Sequence, residues 1–386
     1  MSARDLSDAT RLTALGRDPA AHEGAVNPPV QRGSTVIVPR AADLYDDARK
    51  TYGLEGFSTQ ERLAEALAGL SGGVGAVLAP SGLSALTLAL LTYGGQGAHV
   101  LVTDSAYGPT RRFCDQVLSG HGVRTTYFDP RIGAGIAGLL TPHTRLIVLE
   151  SPGSLTFEIQ DVPAIAAVAR AAGVTTLIDD TWSAGLWMKP FDLGVDISMQ
   201  ALTKYQGGHA DVLAGALICA DEGRLARLTE MHKLLGLFAG AEDCALALRG
   251  MRTMAVRMAH QDRTARALAI WLEARPEVER VIHPALPSHP DHALWARDFT
   301  GAGGLFGFTL KPVPRERVHA FLERCRLFSM GFSWGGFESL ILPCDPQIRR
   351  TAVPWRENGP LLRISAGLED VGDLIADLDQ AFAALA

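Results

Sequence analysis

Between residues 58 and 220, short apolar runs alternate with amphipathic stretches, and this alternation constrains the fold more than any other feature of the chain. HVLVTD, VRTTYFD, RLIVLE and VTTLIDD each have the length of one strand, while PTRRFCDQVLSG and DVPAIAAVARAAG, the latter opened by Asp161, carry helical spacing. Near-continuous apolar strands joined through helices predict a mostly parallel sheet with helices on both faces. The series starts at STQERLAEALAGL, where Ser58 and Glu61 have capping-box spacing and Leu63, Leu67 and Leu70 share a face. After about residue 246 the order changes. A long Arg-rich helical stretch precedes GLFGFTL, LLRISAG and a closing amphipathic LEDVGDLIADLDQAFAAL, which predicts a smaller α+β domain. Residues 1–52 are rich in Pro, Arg and Asp and lack sustained periodicity, so they predict an extended arm that packs on something else. The pattern divides the chain into an arm at 1–52, an α/β domain at 53–246 and an α+β domain at 247–386.

With 386 residues, the chain is long enough for two or three domains that each bury a core. Apolar residues make up 47%, charged residues 20% and the net charge is -6, so there is no basic surplus for nucleic acid or anionic lipid. Small molecules and copies of the chain itself are the expected partners. The five cysteines, Cys114, Cys219, Cys244, Cys325 and Cys344, have neither CxxC nor disulfide-scaffold spacing and read as buried thiols in a reducing compartment. The first 24 residues are polar and lack the apolar core of a signal peptide, which predicts a cytoplasmic location. GAVLAPSGLSALTLALLTYGG is interrupted by Pro80 and flanked by glycines, so it predicts a buried core helix and not a membrane span.

Several motifs invite chemical readings. GAGIAG matches the dinucleotide fingerprint at Gly133, Gly135 and Gly138, but Asp129 and Pro130 break the preceding strand and Pro142 arrives before a full helix. His283, His289 and His292 stand among prolines, which predicts a solvated turn. Lysine is informative because it is scarce, five residues among 36 basic ones. Lys50, Lys189, Lys233 and Lys311 lie in polar or amphipathic settings and read as surface residues. Lys204 follows the strand-like DISMQAL and precedes Gly207 and Gly208, which would let the backbone approach a ligand. A desolvated lysine condenses readily with an aldehyde; a lysine snorkelling at a strand end is the other reading. Asp179 ends an apolar strand, and the carboxyl end of a central parallel strand is where ligands bind in such sheets. Ser81 and Gly82 precede an apolar helix whose first N–H groups suit a phosphate. Tyr107 follows another strand and could lay its ring on a flat cofactor. Arg363 is a lone charge inside LLRIS, suited to a bidentate carboxylate contact or to an exposed edge strand. Phosphate cradle, carboxylate, aromatic ring and lysine are together the parts of a pyridoxal phosphate site.

Over nearly its whole length the chain resembles the pyridoxal-phosphate enzymes of cysteine and methionine metabolism, and within them most closely the bacterial cystathionine β-lyases. The resemblance is carried by GAVNPPVQRGST, TYGLEG, PSG, DSAYGPTRRFCD, ESPGS, LIDDTWSAG, LTKYQGGHAD, SWGGFESLI and RISAGLEDVGDLIADL. AYGPT, ESPGS, Trp182 and Trp334 point to the β-lyase branch, and no cysteine closely follows Tyr107 as in methionine γ-lyases. The resemblance implies an aspartate aminotransferase-like, fold-type I architecture with pyridoxal 5'-phosphate held by the 53–246 domain. It also implies that Lys204 forms the Schiff base, that Asp179 pairs with the ring nitrogen and that Tyr107 stacks on the ring. By the same resemblance Ser81, Gly82, Leu83 and Thr203 meet the phosphate, joined by Tyr52 of a neighbouring subunit, in a homo-oligomer expected to be a tetramer. Arg363, Ser333 and the Trp334 backbone hold the carboxylate of an amino-acid thioether. Three positions depart from the pattern. Leu54 stands where an arginine is common, Ala201 where serine is common, and Asp180 where asparagine is usual; on a strand, Asp179 and Asp180 point to opposite faces, so one carboxylate is expected at the ring. The implied reaction cleaves L-cystathionine, and cystine-like substrates, to a thiol, pyruvate and ammonia. A γ-lyase or γ-replacing synthase acting on cystathionine or an O-acylhomoserine, a nicotinamide dehydrogenase and a catalytically silent binding protein are the alternatives.

Overall fold

The computed structural model describes residues 6–46 and 48–385; the first five residues of the expected arm, Asp47 and Ala386 lie outside the described residues. The strands are β1 (Gly75–Ala79), β2 (His99–Thr103), β3 (Arg124–Phe128), β4 (Thr144–Glu150), β5 (Thr175–Asp179), β6 (Ile197–Gln200), β7 (Gly215–Cys219), β8 (Val278–Ile282), β9 (Leu305–Leu310), β10 (Leu340–Pro343) and β11 (Leu361–Ser365). The first seven form one sheet in the order β1-β7-β6-β5-β4-β2-β3. Pairing is parallel from β3 to β6 and antiparallel on both sides of β7, so β7 alone runs against the others. The sheet is therefore mostly parallel, as the alternating pattern predicts. Its interior strands are buried along nearly their whole length because helices cover both faces. The last four strands form an antiparallel sheet, β10-β11-β9-β8. Its core is shared with the helices Arg315–Arg324 and Val371–Phe382.

A 33-residue helix, Ala241–Glu273, runs through the expected junction at 246/247. Its first half, from Cys244 to Met258, packs into the core beside the larger sheet, and Ala265, Leu268, Ala269 and Leu272 pack into the core of the smaller one. One rigid rod thus fixes how the two sheets sit. In the arm, the helix Asp8–Ala14 buries Leu12, and Arg252 donates to the carbonyls of Leu12 and Leu15 at 2.7 and 2.6 Å. From Ala25 to Tyr52 the arm is mostly exposed, with Ile37 87% and Tyr45 92% accessible.

Several expectations change. The helix Ser58–Ser71 begins one residue earlier than the Ser58/Glu61 spacing suggests: the N-cap is Phe57, whose N–H donates to the Gln60 side chain at 3.0 Å, while the Ser58 hydroxyl donates to Gln31. Lys189 is not a surface residue. It is half-buried and ties Asp8 to the carbonyls of Leu70 and Gly185. His283 and His289 are buried and not solvated, and burial pushes their pKa values down to about 3 and about 4. GAGIAG is a 3-10 segment, Gly133–Leu139, and not the tight entry to a long helix that a dinucleotide needs. No helix among the described residues is long and apolar enough to cross a membrane.

Gly250 shows how the long helix positions the turn beyond β6. A Cβ there would lie 2.0 Å from the carbonyl oxygen of Gln206 and 2.4 Å from that of Gly207, so only glycine lets the helix touch the 204–208 turn. Gly→Ala inside a helix ordinarily stabilises by about 1 kcal/mol. Here Gly250→Ala is expected to destabilise by about 1–3 kcal/mol through overpacking, read as a lower thermal midpoint.

Candidate active site

The carboxyl ends of the central parallel strands converge on one cleft, as the chain reversals of such sheets require. β5, the fourth strand of seven, ends on Asp179, and β4 ends beside it in register on Glu150. The turn after β6 carries Lys204, and the turn after β2 carries Tyr107. Beyond β1, Ser81 caps the helix Gly82–Tyr93: its hydroxyl accepts the Ser84 N–H at 3.1 Å, and the Ser84 hydroxyl accepts the Ser81 N–H at 2.9 Å. This reciprocal cap leaves the Gly82 and Leu83 N–H groups without an intrahelical acceptor at the positive end of the helix. Gly82 is needed for contact, since a Cβ would lie 2.5 Å from the Ala201 Cβ. Ala201 is thus wedged against this turn, and the side chain that replaces the expected serine is a spacer. Thr203 accepts the Ala214 N–H at 3.3 Å and closes the same loop.

Lys204 is half-buried, and its Nζ donates to the Ser333 hydroxyl at 2.7 Å, 5.5 Å from the centre of the Trp334 ring. Burial, then the neighbouring Arg363 charge, lowers the Lys204 pKa to about 8, while Asp179 opposes the shift. Arg363 donates to the Ser333 carbonyl at 2.9 Å and has no carboxylate partner among the described residues. β11 lies between β10 and β9, so the edge-strand reading of Arg363 does not hold. Ser333 thereby touches both cations, and it does so with a φ of 80°, a left-handed conformation that serine adopts at a cost. Behind it Trp334 meets the buried Tyr205 edge-on at 5.4 Å.

Asp179 and Asp180 diverge as the strand geometry predicts. The Asp179 carboxylate accepts the Thr181 hydroxyl at 2.5 Å and N–H at 3.0 Å, and Thr181 in turn accepts the Ala201 N–H at 2.9 Å. Asp180 turns away into a buried nest formed by Ser183, Gly185, Ser198 and Gln200, where burial pushes its pKa up to about 7. Gly207 and Gly208 serve packing and not the approach of a ligand. Gly208 has φ +71°, and a Cβ there would meet the Arg257 guanidinium, which donates to the Tyr205 and Gly250 carbonyls at 2.7 and 2.8 Å.

Two groups escaped the reading of motifs. Glu150 accepts the Tyr107 N–H at 2.7 Å, and burial, then the adjacent Asp179 charge, pushes its carboxyl well above the ordinary range. Its signal was the acidic end of RLIVLE, in parallel with the end of VTTLID. Thr181 is the other, and only its place two residues after Asp179 hinted at a side chain to backbone turn. The Tyr107 ring is 48% exposed. Tyr52 is not brought to this cleft by its own chain: its backbone pairs with Thr35, and its side chain is 58% exposed.

Removing the Arg363 charge should raise the Lys204 pKa, and removing the Asp179 charge should lower it further. In Arg363→Gln the pH midpoint for labelling of Lys204 by trinitrobenzenesulfonate in cofactor-free protein is expected to move up, and in Asp179→Asn down. Peptide mass spectrometry reads both; movement in one common direction would contradict the geometry.

Residues 9–383 match the family described as Cys/Met metabolism PLP-dependent enzyme. The cystathionine β-lyase MetC of Escherichia coli (strain K12) is 42% identical, over 97% of this chain and 98% of that protein. An L-alanine/L-glutamate racemase of Wolbachia pipientis wMel is 38% identical, over 97% of this chain and 96% of that protein. The crystal structure of metB from Corynebacterium glutamicum superposes with a TM-score of 0.93 at 28% identity and covers 100% of both chains.

Proposed function

Because the chain belongs to the pyridoxal-phosphate-dependent enzymes of cysteine and methionine metabolism, we propose that it is a cystathionine β-lyase, which cleaves L-cystathionine with water to homocysteine, pyruvate and ammonia. One observation carries this reading: a lysine of lowered pKa and an arginine with no carboxylate partner among the described residues share Ser333 beside the partly buried Asp179.

The residues present fit the cofactor. The N–H groups of Gly82 and Leu83 suit its phosphate, with the Thr203 loop alongside. Burial raises the Asp179 pKa, so a protonated ring nitrogen supplies the cation that this carboxylate otherwise lacks within the strand. The exposed Tyr107 ring suits stacking, and the Lys204 amine suits an aldehyde. When bound, pyridoxal phosphate supplies the electron sink that stabilises the charge left on Cα.

Arg363, with Ser333 and the Trp334 backbone, binds the substrate carboxylate and so fixes the direction of the Cα–H bond. The Lys204 amine takes that proton and returns one to the departing sulfur. At pH 7 a lysine of pKa about 8 is neutral about one time in ten, against less than about one in a thousand at the ordinary value of about 10.4. Ser333, at 2.7 Å, keeps the amine aimed at the cleft. Asp179 would hold a positive charge on the ring nitrogen, and Glu150 anchors the backbone of Tyr107.

Pyruvate as the oxo-acid product supports this reading; 2-oxobutyrate from cystathionine would assign γ-elimination instead, and D-alanine formed from L-alanine would assign the racemase reaction. Lys204→Ala is expected to lower kcat by about 10²–10⁴-fold or more, the weight of a positioned acid-base group. Borohydride treatment should fix the cofactor to the wild-type peptide that contains Lys204, and not to the variant.

The protein acts as a homo-oligomer, a tetramer by resemblance, with Tyr52 entering a neighbour's cleft. The exposed arm, with Ile37 and Tyr45 almost wholly accessible, supports this. Mixing Lys204→Ala with Tyr52→Ala chains, each nearly inactive alone, should restore about a quarter of the activity, since about half the pairs are hybrid and each hybrid has one intact site. No restoration would place Tyr52 in its own chain's site or in none.

A further inference from the structure

None of the candidate site residues lines a second cavity of about 450 Å³, formed by β8 and by segments that follow β3 and β4, within the range of sites for small organic ligands. Four guanidinium groups line it: Arg131, Arg280, Arg350 and Arg356. Three are matched by carboxylates. Arg131 pairs in a fork with Asp291 at 2.8 Å, Arg280 with Glu357 at 2.9 Å and Arg350 with Glu158 at 3.2 Å. Arg356 has no such partner among the described residues, which leaves one positive charge of the lining unmatched.

Burial adds a second, independent sign. The Arg350 side chain is only 7% exposed, and while its Nη2 donates to Thr156 and Glu158, its Nη1 has no partner among the described residues. In the same wall the Trp355 Nε1 is buried and also lacks one. A buried donor without an acceptor costs about 1–3 kcal/mol, so two in one wall is an arrangement that an oxyanion would relieve. Besides these charged groups the lining holds Thr156, the buried His289 and an apolar stretch from Val281, Ile282, Pro290, Val353, Pro354 and Trp355. The wall that bears these groups is built and not loose: the buried Asp104 carboxylate accepts the N–H groups of Thr351, Ala352 and Val353 at 2.9–3.0 Å.

We propose that this cavity is a second ligand site, for a small organic acid that carries a single carboxylate on a short apolar body. Its carboxylate meets Arg356 and the open side of Arg350, and its body lies along Trp355 and the prolines. One unmatched charge favours a monoanion, and the apolar wall excludes a bare ion. The site touches the catalytic cleft through charge, because Arg350 and Glu158 both act on Glu150, whose carboxylate holds Tyr107.

Calorimetric titration of the pyridoxal-phosphate-loaded enzyme with hexanoate, succinate and inorganic phosphate tests this. Hexanoate lacks an amino group and so cannot react with the cofactor. The expected result is saturable binding of one hexanoate per chain, at least about tenfold tighter than phosphate or succinate, as an apolar body and a single charge require. Arg356→Gln, a change at an exposed side chain, should weaken it at least about fivefold, while Arg349→Gln, an exposed neighbour outside the cavity, should not. Binding should persist in Arg363→Gln. Loss of hexanoate binding in Arg363→Gln would move it to the carboxylate site beside Lys204 and overturn the proposal. Equal weakening by Arg356→Gln and Arg349→Gln, phosphate binding as tight as hexanoate, or no saturable heat would overturn it as well.

Discussion

The contact of Lys204 with Ser333 is where the two halves of the chain meet chemically, and much else in the molecule exists to keep it. Lys204 hangs from the larger sheet and Ser333 from the smaller one, so the 2.7 Å bond between them requires the sheets to hold a fixed relation. The helix Ala241–Glu273 supplies that relation by packing one end into each core. Gly250, Arg257 and Gly208 then bring the turn that carries Lys204 down onto the helix. The energy of burying this rod in both cores is far larger than that of one hydrogen bond, which is how a strained Ser333 at φ 80° can be sustained.

Charge arrangement depends on the same placement. Arg363 and Lys204 are like charges that share one residue. The guanidinium keeps its proton and the lysine, whose pKa can move, becomes a base usable near neutral pH. On the opposite side Glu150 and Asp179 are like charges in register on neighbouring strands, and the Asp179 charge adds to burial in pushing Glu150 up. The cleft therefore has a cationic side, Arg363 from the smaller sheet with Lys204 from the larger one, and an acidic side, Glu150 and Asp179, from the larger sheet alone. A zwitterionic amino acid and a cofactor with a protonatable nitrogen and a phosphate suit such a division. A lyase and a racemase both stand among the relatives, so a shared frame does not by itself fix the reaction.

The alternating apolar runs were enough to read a mostly parallel sheet, because strands buried on both faces have no freedom to be polar. The same logic made Lys204, Asp179 and Arg363 conspicuous, as charges at the ends or inside of runs that otherwise exclude them. Local spacing misled where the partner lay far away in the chain. Gly207 and Gly208 read as room for a ligand, yet Val212 and the Leu202 carbonyl stand against the first and Arg257 from the long helix against the second. Lys189, His283 and His289 read as surface groups because their neighbours are polar, although Lys189 is half-buried against the Leu70 carbonyl and the two histidines are buried.

What the sequence determined by itself was the kind of fold, the strand ends at which chemistry could sit and the residue types that would perform it. These depend on periodicity and on the cost of placing a charge in an apolar run, which are local properties. Only the tertiary structure decided that Ser333 joins the two cations, that Glu150 stands beside Asp179 under Tyr107, and that four arginines from three separate segments gather around one cavity with three carboxylates. Contacts such as Lys204 with Ser333, 129 positions apart, and Arg350 with Glu158, 192 apart, are set by how the two cores pack on a common helix, and no local pattern encodes them.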